Sequence, residues 1–465
     1  MGFIEVVSQY LPEVRGPLQK KLSFKEKFKW TGITLVLFFV LGLIPLFGLG
    51  QNALSRFEYL SIILGAKFGS IISLGIGPIV TASIVLQLLN GSGIINMNLT
   101  TPEGKKRFQA VQKILAIFFI VFEAAIYVFM GGLAPTAGVS GFFSLQLILI
   151  FQLILGGMLI MFMDEVCSKW GFGSGLSLFI AAGVSETIFV RLLSPYTNAG
   201  LIGWPFGEGA PVGKFLELFY ALSGGDPTTA GLALSSIVAT ALVFVVAVYA
   251  QSMKIEIPLS FGRIRGHGIR WPLNFLYTSN IPVILIAALI ANVQLWARLL
   301  QNWGYPILGT FVGQSPASGF VSWIYAPSVV QKFFTGSLVF TDILHSLSYI
   351  LFMVGGAVVF SIFWVQTSGM DSRSQAKQIM SSGLQIPGFR KDQRVLERLL
   401  DRYIWPLTVM GGITVGVLAA VADLSDALGT GTGILLAVMI IYRLYEDIAK
   451  QHMMDMHPMM RKMME

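Results

Sequence analysis

The chain has 465 residues, of which 54% are hydrophobic and only 12% are charged. A soluble globular protein carries roughly twice that charged fraction, so the composition excludes a water-soluble protein and predicts an integral membrane protein. The formal net charge is +8, and the single cysteine, Cys167, excludes an intramolecular disulfide framework and a cysteine-rich metal site.

Ten apolar stretches of the chain are candidates for membrane spans. About 20 apolar residues, rising about 1.5 Å each, cross the hydrocarbon core of a bilayer. The candidates lie near 31–48, 74–90, 110–130, 144–166, 176–193, 231–253, 275–297, 342–365, 404–422 and 431–448. The second and the fifth are the weakest, because both are short and begin with glycine. We therefore predict an all-α polytopic membrane protein with ten transmembrane helices.

The positive charges indicate how these spans are oriented. With the N-terminus inside, the inner segments are 1–30, 91–113, 164–175, 252–272, 366–402 and the tail from 443. They hold 26 of the 32 Lys and Arg residues, an excess typical of cytoplasmic segments. The segment 1–30 also lacks the short apolar core of a secretory signal. We therefore predict a multi-pass protein of the cell (cytoplasmic) membrane, with a cytoplasmic amphipathic N-terminus at 1–30 and a cytoplasmic tail at 451–465.

Between the first two spans lies a charged stretch that is too short and too polar to cross lipid. Its sequence is "GQNALSRFEYLSIILGAKFGS", residues 50–70. Irregular backbone at membrane depth persists only where it is buried in protein or borders a water-filled cavity. We therefore interpret Gly75, Gly77 and Pro78 as a hinge between a short re-entrant helix and the second span.

One face of the second span changes from aliphatic to polar along its length. At i, i+4, i+7 and i+11 spacing it carries Ile76, Val80, Ser83 and Gln87. The seventh span repeats the spacing with Asn280, Ile284, Ala288 and Ala291. Such a face is typical of a closable aqueous path, but Ser, Thr, Asn and Gln also join membrane helices by hydrogen bonds. Both interpretations stay open on the residues alone.

Spans that are five apart share local features, which indicates an internal repeat. The fifth span follows "GFGSGLSLFI" (171–180) and the tenth follows "GTGTGILLAVMI" (429–440), while Pro78 and Pro282 lie near the starts of the second and seventh. Because five is odd, the two halves would have opposite topology. Inverted repeats of this kind place the working site at their interface, midway through the bilayer. We predict halves at 31–195 (spans one to five) and 231–450 (spans six to ten).

Two inner segments are long and basic. Residues 253–273 set Arg263, Arg265 and Arg270 in a glycine-rich turn, and 366–404 is expected to form a helix, a Gly-Pro loop and a second helix. For either segment, anchoring by positive charge is about as good an explanation of its basic residues as a docking role. However, orientation alone does not require a loop of more than thirty residues with its own secondary structure. We therefore predict a docking surface for an anionic partner such as RNA.

Side chains suited to ion coupling or catalysis are scarce. Glu123 is the only acid deep in a span, and Asp342 and His345 form a pair at a span edge. The chain has neither a GxxxxGK[ST] phosphate loop nor a GxSxG nucleophile turn, so we expect no enzyme, no metal and no cofactor. A secondary transporter normally needs buried ionisable residues. It remains an alternative function, and a membrane scaffold is a third.

Four long motifs point to a known family: "LGIGPIVTASIVLQLLNGSG", "GFGSGLSLFIAAGVS", "FLYTSNIPVILIAALIANVQLW" and "GTGILLAVMIIYRLYE". They closely resemble the SecY family, the channel subunit of the Sec protein translocon, in its archaeal or eukaryotic branch. The resemblance covers nearly the whole chain. It implies two inverted five-helix halves around a central pore, with a re-entrant plug helix at 53–64. It also implies a passive channel that translocates unfolded secretory polypeptides and releases transmembrane segments laterally into lipid, driven by a partner such as the ribosome.

The resemblance further implies roles for single residues. An aliphatic pore ring would comprise Ile76, Val80, Leu176, Ile180, Ile284 and Leu436. A narrow apolar ring excludes water and ions by dewetting until a polypeptide fills it. The lateral gate would carry Thr81, Gln87, Glu123, Asn280 and Asn292. Ribosome binding would use Arg263, Arg265, Arg390, Lys391 and Arg394. The other implied partners are the small membrane subunits SecE and Secβ, polypeptides with signal sequences, and the lipid bilayer.

Overall fold

The computed structural model describes most of the chain and divides it into two compact units. The described residues are 11–18, 22–50, 67, 69–91, 94–95, 97, 102–129, 131–136, 141–197, 201–261, 268–278, 281–302, 304–312, 315–381, 384–385, 392–429 and 431–456. The first unit comprises Met1–Glu186 and Ile440–Glu465, and the second comprises Thr187–Met439. The predicted halves, 31–195 and 231–450, stay a prediction.

Among the described residues, the first unit contains the part of the chain's last helix that follows Met439, four whole helices and most of a fifth. The helices other than the last are α1 (Phe24–Leu43), α2 (Gly77–Gly91), α3 (Pro102–Phe129), α4 (Phe142–Trp170) and α5 (Gly175–Leu193). The helix α3 packs against α2 and α4, and α4 packs against α1. Their core includes Leu74, Ile120 and Leu153, each nearly inaccessible to solvent. A Cβ on Gly156 of α4 would lie 1.8 Å from the carbonyl oxygen of Ile71, so only glycine permits this close approach of the chain that leads into α2.

Among the described residues, the second unit contains eight further helices and the start of a ninth, together with five strands. In chain order they are α6 (Lys214–Gly224), α7 (Pro227–Ser252), β1 (Lys254–Phe261), β2 (Gly268–Asn274), α8 (Ile281–Asn302), β3 (Thr310–Val312), β4 (Ser315–Ser318), α9 (Phe320–Trp323), α10 (Val329–Phe334), α11 (Phe340–Thr367), α12 (Ser372–Ser381), β5 (Leu384–Gln385), α13 (Gln393–Leu424) and α14 (Gly431–Met456). The helices α11 and α13 pack closely, because Gly416 leaves room for the backbone of Val354: a Cβ there would lie 2.8 Å from the Val354 Cα.

A small sheet joins the two basic segments of the second unit. The strand β1 pairs antiparallel with β2, from Lys254 opposite Asn274 to Ser260 opposite Gly268. At its end β1 also pairs with β5, where Phe261 lies opposite Leu384. The sheet and the helices α12 and α13 share one apolar cluster. The described residues of the segment 253–273 therefore form two antiparallel strands, and the predicted glycine-rich turn between them lies outside the described residues. The prediction of a purely α-helical chain missed both this sheet and the smaller pair β3–β4.

Helices long and apolar enough to cross a membrane are present in both units. Among the described residues there are six, Lys106–Phe129, Phe142–Trp170, Gly175–Leu193, Pro227–Ser252, Phe340–Gln366 and Gln393–Leu424. A shorter apolar helical stretch occupies Gly77–Gln87. The mostly helical architecture with several helices apolar enough to span a membrane is thus confirmed, and the count of ten spans stays a prediction.

Candidate pore and docking surface

The start of α2 follows a turn at the position where a hinge was predicted. Gly75 adopts a left-handed conformation with φ of 59°, which glycine reaches without steric cost. The carbonyl oxygen of Ile76 then accepts the N–H groups of Ile79 and Val80, both at 3.1 Å. Pro78 is the second residue of the helix, where a missing N–H costs no intrahelical hydrogen bond. The chain therefore turns sharply at 75–77 before the helix runs on.

The predicted ring residues of the first unit lie in the first turns of two helices. Ile76 and Ile180 are buried, at 3% and 6% exposure, while Val80 and Leu176 are half-buried. Each pair is spaced by four residues, so Ile76 and Val80 share one face, as do Leu176 and Ile180. In the second unit Ile284 is half-buried on α8, and Leu436 is buried on α14. The convergence of all six side chains on one ring stays a prediction.

The polar residues predicted for the gate include three that the structure describes in full. Thr81 and Gln87 lie half-buried on α2, and Glu123 lies half-buried on the neighbouring α3. The Gln87 amide donates to the hydroxyl of Ser83 at 3.2 Å, and its Oε1 is buried with no hydrogen-bond partner among the described residues. Ser83 was not assigned to the gate by resemblance, although its spacing from Gln87 indicated the contact. Asn280 and the side chain of Asn292 lie outside the described part of the chain.

A lysine anchors the chain that follows the predicted plug. The plug segment 53–64 lies outside the described residues, but Lys67 is described. Its Nζ is 2.6 Å from Oε1 of Glu186 on α5 and 5.5 Å from the ring centroid of Phe39 on α1. A Cβ on Gly42 of α1 would lie 2.6 Å from the Lys67 Cδ, so this glycine makes room for the lysine stem. No sequence pattern indicated a role for Lys67. Glu186 lies as deep in the fifth predicted span as Glu123 lies in the third, so the prediction that Glu123 is the only acid deep in a span was wrong.

An N-terminal strap, residues 11–18, is tied to the ends of α3 and α4. Lys113 of α3 contacts both Glu165 of α4 and the Pro12 carbonyl oxygen. Lys169 of α4 pairs with Glu13 at 2.5 Å. This hydrogen bond, together with the lysine charge, holds the pKa of Glu13 below its ordinary value. These contacts join segments that the charge pattern assigned to one side of the membrane.

Of the predicted ribosome-binding residues, the structure describes Arg394. The other four, Arg263, Arg265, Arg390 and Lys391, lie outside the described residues. Arg394 is exposed in the first turn of α13, where its N–H donates to Oδ1 of the capping Asp392 at 2.9 Å. A shallow cleft of 300 Å³ beside it is lined by Ser372, Arg394, Glu397, Arg398 and Asp401. On the adjoining sheet, Arg270 forms an ion pair with Glu256 at 2.9 Å.

The long apolar helices of both units define the chain as a polytopic helical membrane protein. Comparison with known proteins identifies its family. The SecY family model matches residues 70–445. The protein translocase subunit SecY of Pyrococcus furiosus is 43% identical over 468 residues, covering 99% of this chain and 98% of that protein. The corresponding protein of Methanothermobacter thermautotrophicus is 45% identical over 461 residues, covering 98% and 97%. The chain belongs to the SecY family, so the resemblance noted from its motifs is confirmed.

Solved structures give the same result. A structure described as a protein conducting channel superimposes with a TM-score of 0.79 at 41% identity, covering 97% of this chain and 98% of that one. Sec61 in the canine ribosome-channel complex from the endoplasmic reticulum superimposes with a TM-score of 0.77 at 40% identity, with the same coverage. At these identities the likeness extends to the family as well as to the fold.

Proposed function

We propose that this chain is the channel-forming subunit of a protein translocase. It passes unfolded secretory polypeptides across the membrane and releases transmembrane segments sideways into lipid. The observation that carries the proposal is the similarity, over 97% of the chain, to a solved protein conducting channel. The channel is passive and is not an enzyme, so a partner supplies the energy.

In this proposal, the six ring residues form the seal of the idle pore. Ile76, Ile180 and Leu436 are buried, and all six side chains are aliphatic. Water leaves a narrow apolar neck spontaneously, and ions do not follow into the dry gap. Flexible aliphatic side chains also close around a passing polypeptide of any sequence. The burial of ring positions in both units supports this assignment.

The lateral gate opens beside α2. Thr81 and Gln87 lie on α2 and Glu123 lies on α3, two helices that pack against each other. Asn280 and Asn292 complete the proposed gate. A hydrophobic signal helix replaces polar packing at this seam with apolar packing, which favours its exit into lipid. The buried Oε1 of Gln87, which has no hydrogen-bond partner among the described residues, supports a polar seam.

The cytoplasmic surface formed by β1, β2, β5 and α12 docks the ribosome. The relative in the canine complex is described with a ribosome, and here one sheet brings both basic segments together. Phosphate contacts made by such basic surfaces are independent of RNA sequence and weaken with salt. We assign these contacts to Arg263, Arg265, Arg390, Lys391 and Arg394.

The remaining assignments complete the proposal. The chain has ten spans in two inverted halves, and the segment 53–64 is a plug anchored through Lys67. Both termini are cytoplasmic, and the channel resides in the cell membrane together with SecE and Secβ. The excess of positive charge on the inner segments supports this orientation.

A crosslinking experiment tests the proposed path. A stalled secretory chain is engaged with channels that carry a single introduced cysteine in place of Ile180 or Asn292. Crosslinks at 180 are expected for a hydrophilic stalled segment, and crosslinks at 292 for a signal helix. Val245 on the apolar helix α7 is 64% exposed and serves as the matched control. Equal crosslinking at all three positions, or none at 180, would contradict a central path.

A further inference from the structure

Two helices that carry ring residues begin on a glycine pressed against the preceding helix. A Cβ on Gly175, the first residue of α5, would lie 2.7 Å from the Cα of Asp164 on α4. A Cβ on Gly431, the first residue of α14, would lie 2.2 Å from the carbonyl oxygen of Ala419 on α13. Real Cβ atoms essentially never approach other atoms within 3.0 Å. Both helices therefore start in close contact with the helix before them.

An aspartate of the preceding helix caps each of these starts. Oδ1 of Asp164 on α4 accepts the N–H of Leu176 at 2.9 Å. Oδ1 of Asp423 on α13 accepts the N–H of Gly431 at 2.5 Å. The first N–H groups of a helix have no intrahelical partner, and a carboxylate there also meets the positive end of the helix dipole. The usual cap is the residue directly before the helix, whereas here a neighbouring helix provides it.

Further hydrogen bonds hold both carboxylates in place. The hydroxyl of Ser174 donates to Oδ1 of Asp164 at 3.3 Å. The buried Tyr349 of α11 donates its hydroxyl to Oδ2 of Asp423 at 2.7 Å. Asp423 thus ties α11 and α13 to the start of α14. The two arrangements occur at corresponding places, between spans four and five and between spans nine and ten.

We propose that Asp164 and Asp423 are matched positioning residues that fix the starts of the two helices whose side chains seal the pore. The N–H held by Asp164 is that of the ring residue Leu176 itself, and Leu436 follows Gly431 by five residues. A neck that excludes water through its narrowness opens when one wall moves by a small distance. This inference rests on the proposed function, because it assigns the two aspartates to the same seal.

Thiol labelling of the chain's single cysteine tests the contact between Asp164 and the start of α5 without a measurement of ion conductance. Cys167 is fully buried, and its Cβ lies 3.0 Å from the position that a Cβ on Gly175 would occupy. We expect Asp164→Ala to speed the reaction of Cys167 with a thiol reagent, and Asp164→Asn, which keeps a carbonyl acceptor, to restore slow labelling. Asp423→Ala should leave the labelling rate unchanged. Unchanged labelling in Asp164→Ala would overturn the assignment of Asp164.

Idle ion conductance of the whole channel complex in a planar bilayer is the functional readout. We expect Asp164→Ala and Asp423→Ala each to raise the idle conductance about fivefold, because loss of a helix cap changes the population of open channels by about this factor. Both Asn variants should keep an idle conductance close to that of the unchanged channel. The matched control is Asp226→Ala. Asp226 caps α7 by accepting from Thr228 and Thr229, and α7 carries no predicted ring residue. If Asp164→Ala does not assemble, Asp164→Glu, whose side chain is one methylene longer, replaces it.

The outcomes separate this inference from the proposed seal. Channels with Ile76, Val80 and Ile284 replaced by Ser serve as the positive control. If these channels stay tight, the proposed seal itself is wrong. If they leak while both assembled Asp→Ala channels stay tight, the positioning role is overturned and the seal survives. Equal leakage in Asp226→Ala would also overturn the positioning role, because loss of any cap would then suffice.

Discussion

The ion pair between Lys67 and Glu186 gives a quantitative prediction about the closed channel. The two side chains are 28% and 34% exposed, and their charged atoms are 2.6 Å apart. Fully exposed pairs contribute about 0.2–1 kcal/mol, and hydrogen bonds to charged groups about 1.5–3 kcal/mol. For this partly exposed pair we expect about 1 kcal/mol. Removing either partner should then raise the population of channels with a released plug about fivefold.

A double-mutant cycle with Lys67→Met and Glu186→Gln measures this energy. The assay is the rate of spontaneous opening of single idle channels in a planar bilayer. Each single variant should open more often, and the double variant should add little to either one, since the same contact is lost. Lys332→Met is the control, because Lys332 forms an ion pair of equal length with Asp342, within the second unit. Fully additive effects of the two variants would refute the coupling.

Three further predictions concern the seal, the plug and the docking surface. Replacing Ile76, Val80 and Ile284 with Ser should make reconstituted channels leak ions, and unchanged conductance would remove the seal. Deleting 53–64 should raise idle conductance while a secretory chain still passes; a tight idle pore would argue against a plug at this segment. Charge reversal of Arg263 and Arg265 should weaken ribosome binding. It should also lower the slope of log affinity against log salt concentration by about one unit for each lost phosphate contact. Arg270, already paired with Glu256, should show a smaller effect, and unchanged affinity in the double reversal would exclude this loop from docking.

Glycine and proline made the starts of several helices predictable from the sequence. The second and fifth spans were expected to begin at glycine, and α2 and α5 begin at Gly77 and Gly175. These residues fix local backbone geometry, so their effect is visible without the fold. The seventh span was expected from 275, but α8 begins at Ile281. Of the residues before it, 268–274 belong to β2 and 275–278 to the bend and turn that follow this strand.

The sheet and the aspartate caps could not be predicted, because both depend on contacts between distant residues. The strand β1 contains Pro258, which lowers strand propensity, and its second partner, β5, is more than 120 residues further along the chain. In the sequence, nothing distinguishes Asp164 and Asp423 from the other acids near span ends. Their role depends on the close packing of successive helices. The ring and gate residues came from the family resemblance, since many other aliphatic residues share the same spacing.

The helix α13 has a mechanical consequence for a docked channel. It runs for 32 residues, Gln393–Leu424, which is about 48 Å at about 1.5 Å per residue. Its first turn carries Arg394, and its last turn carries Asp423, which grips the start of α14. It therefore resembles a lever between the proposed docking surface and α14, a helix of the proposed pore. Pro406 lacks an N–H and is a point where this lever can flex. A force applied at Arg394 would therefore partly bend the helix at Pro406 and partly displace α14.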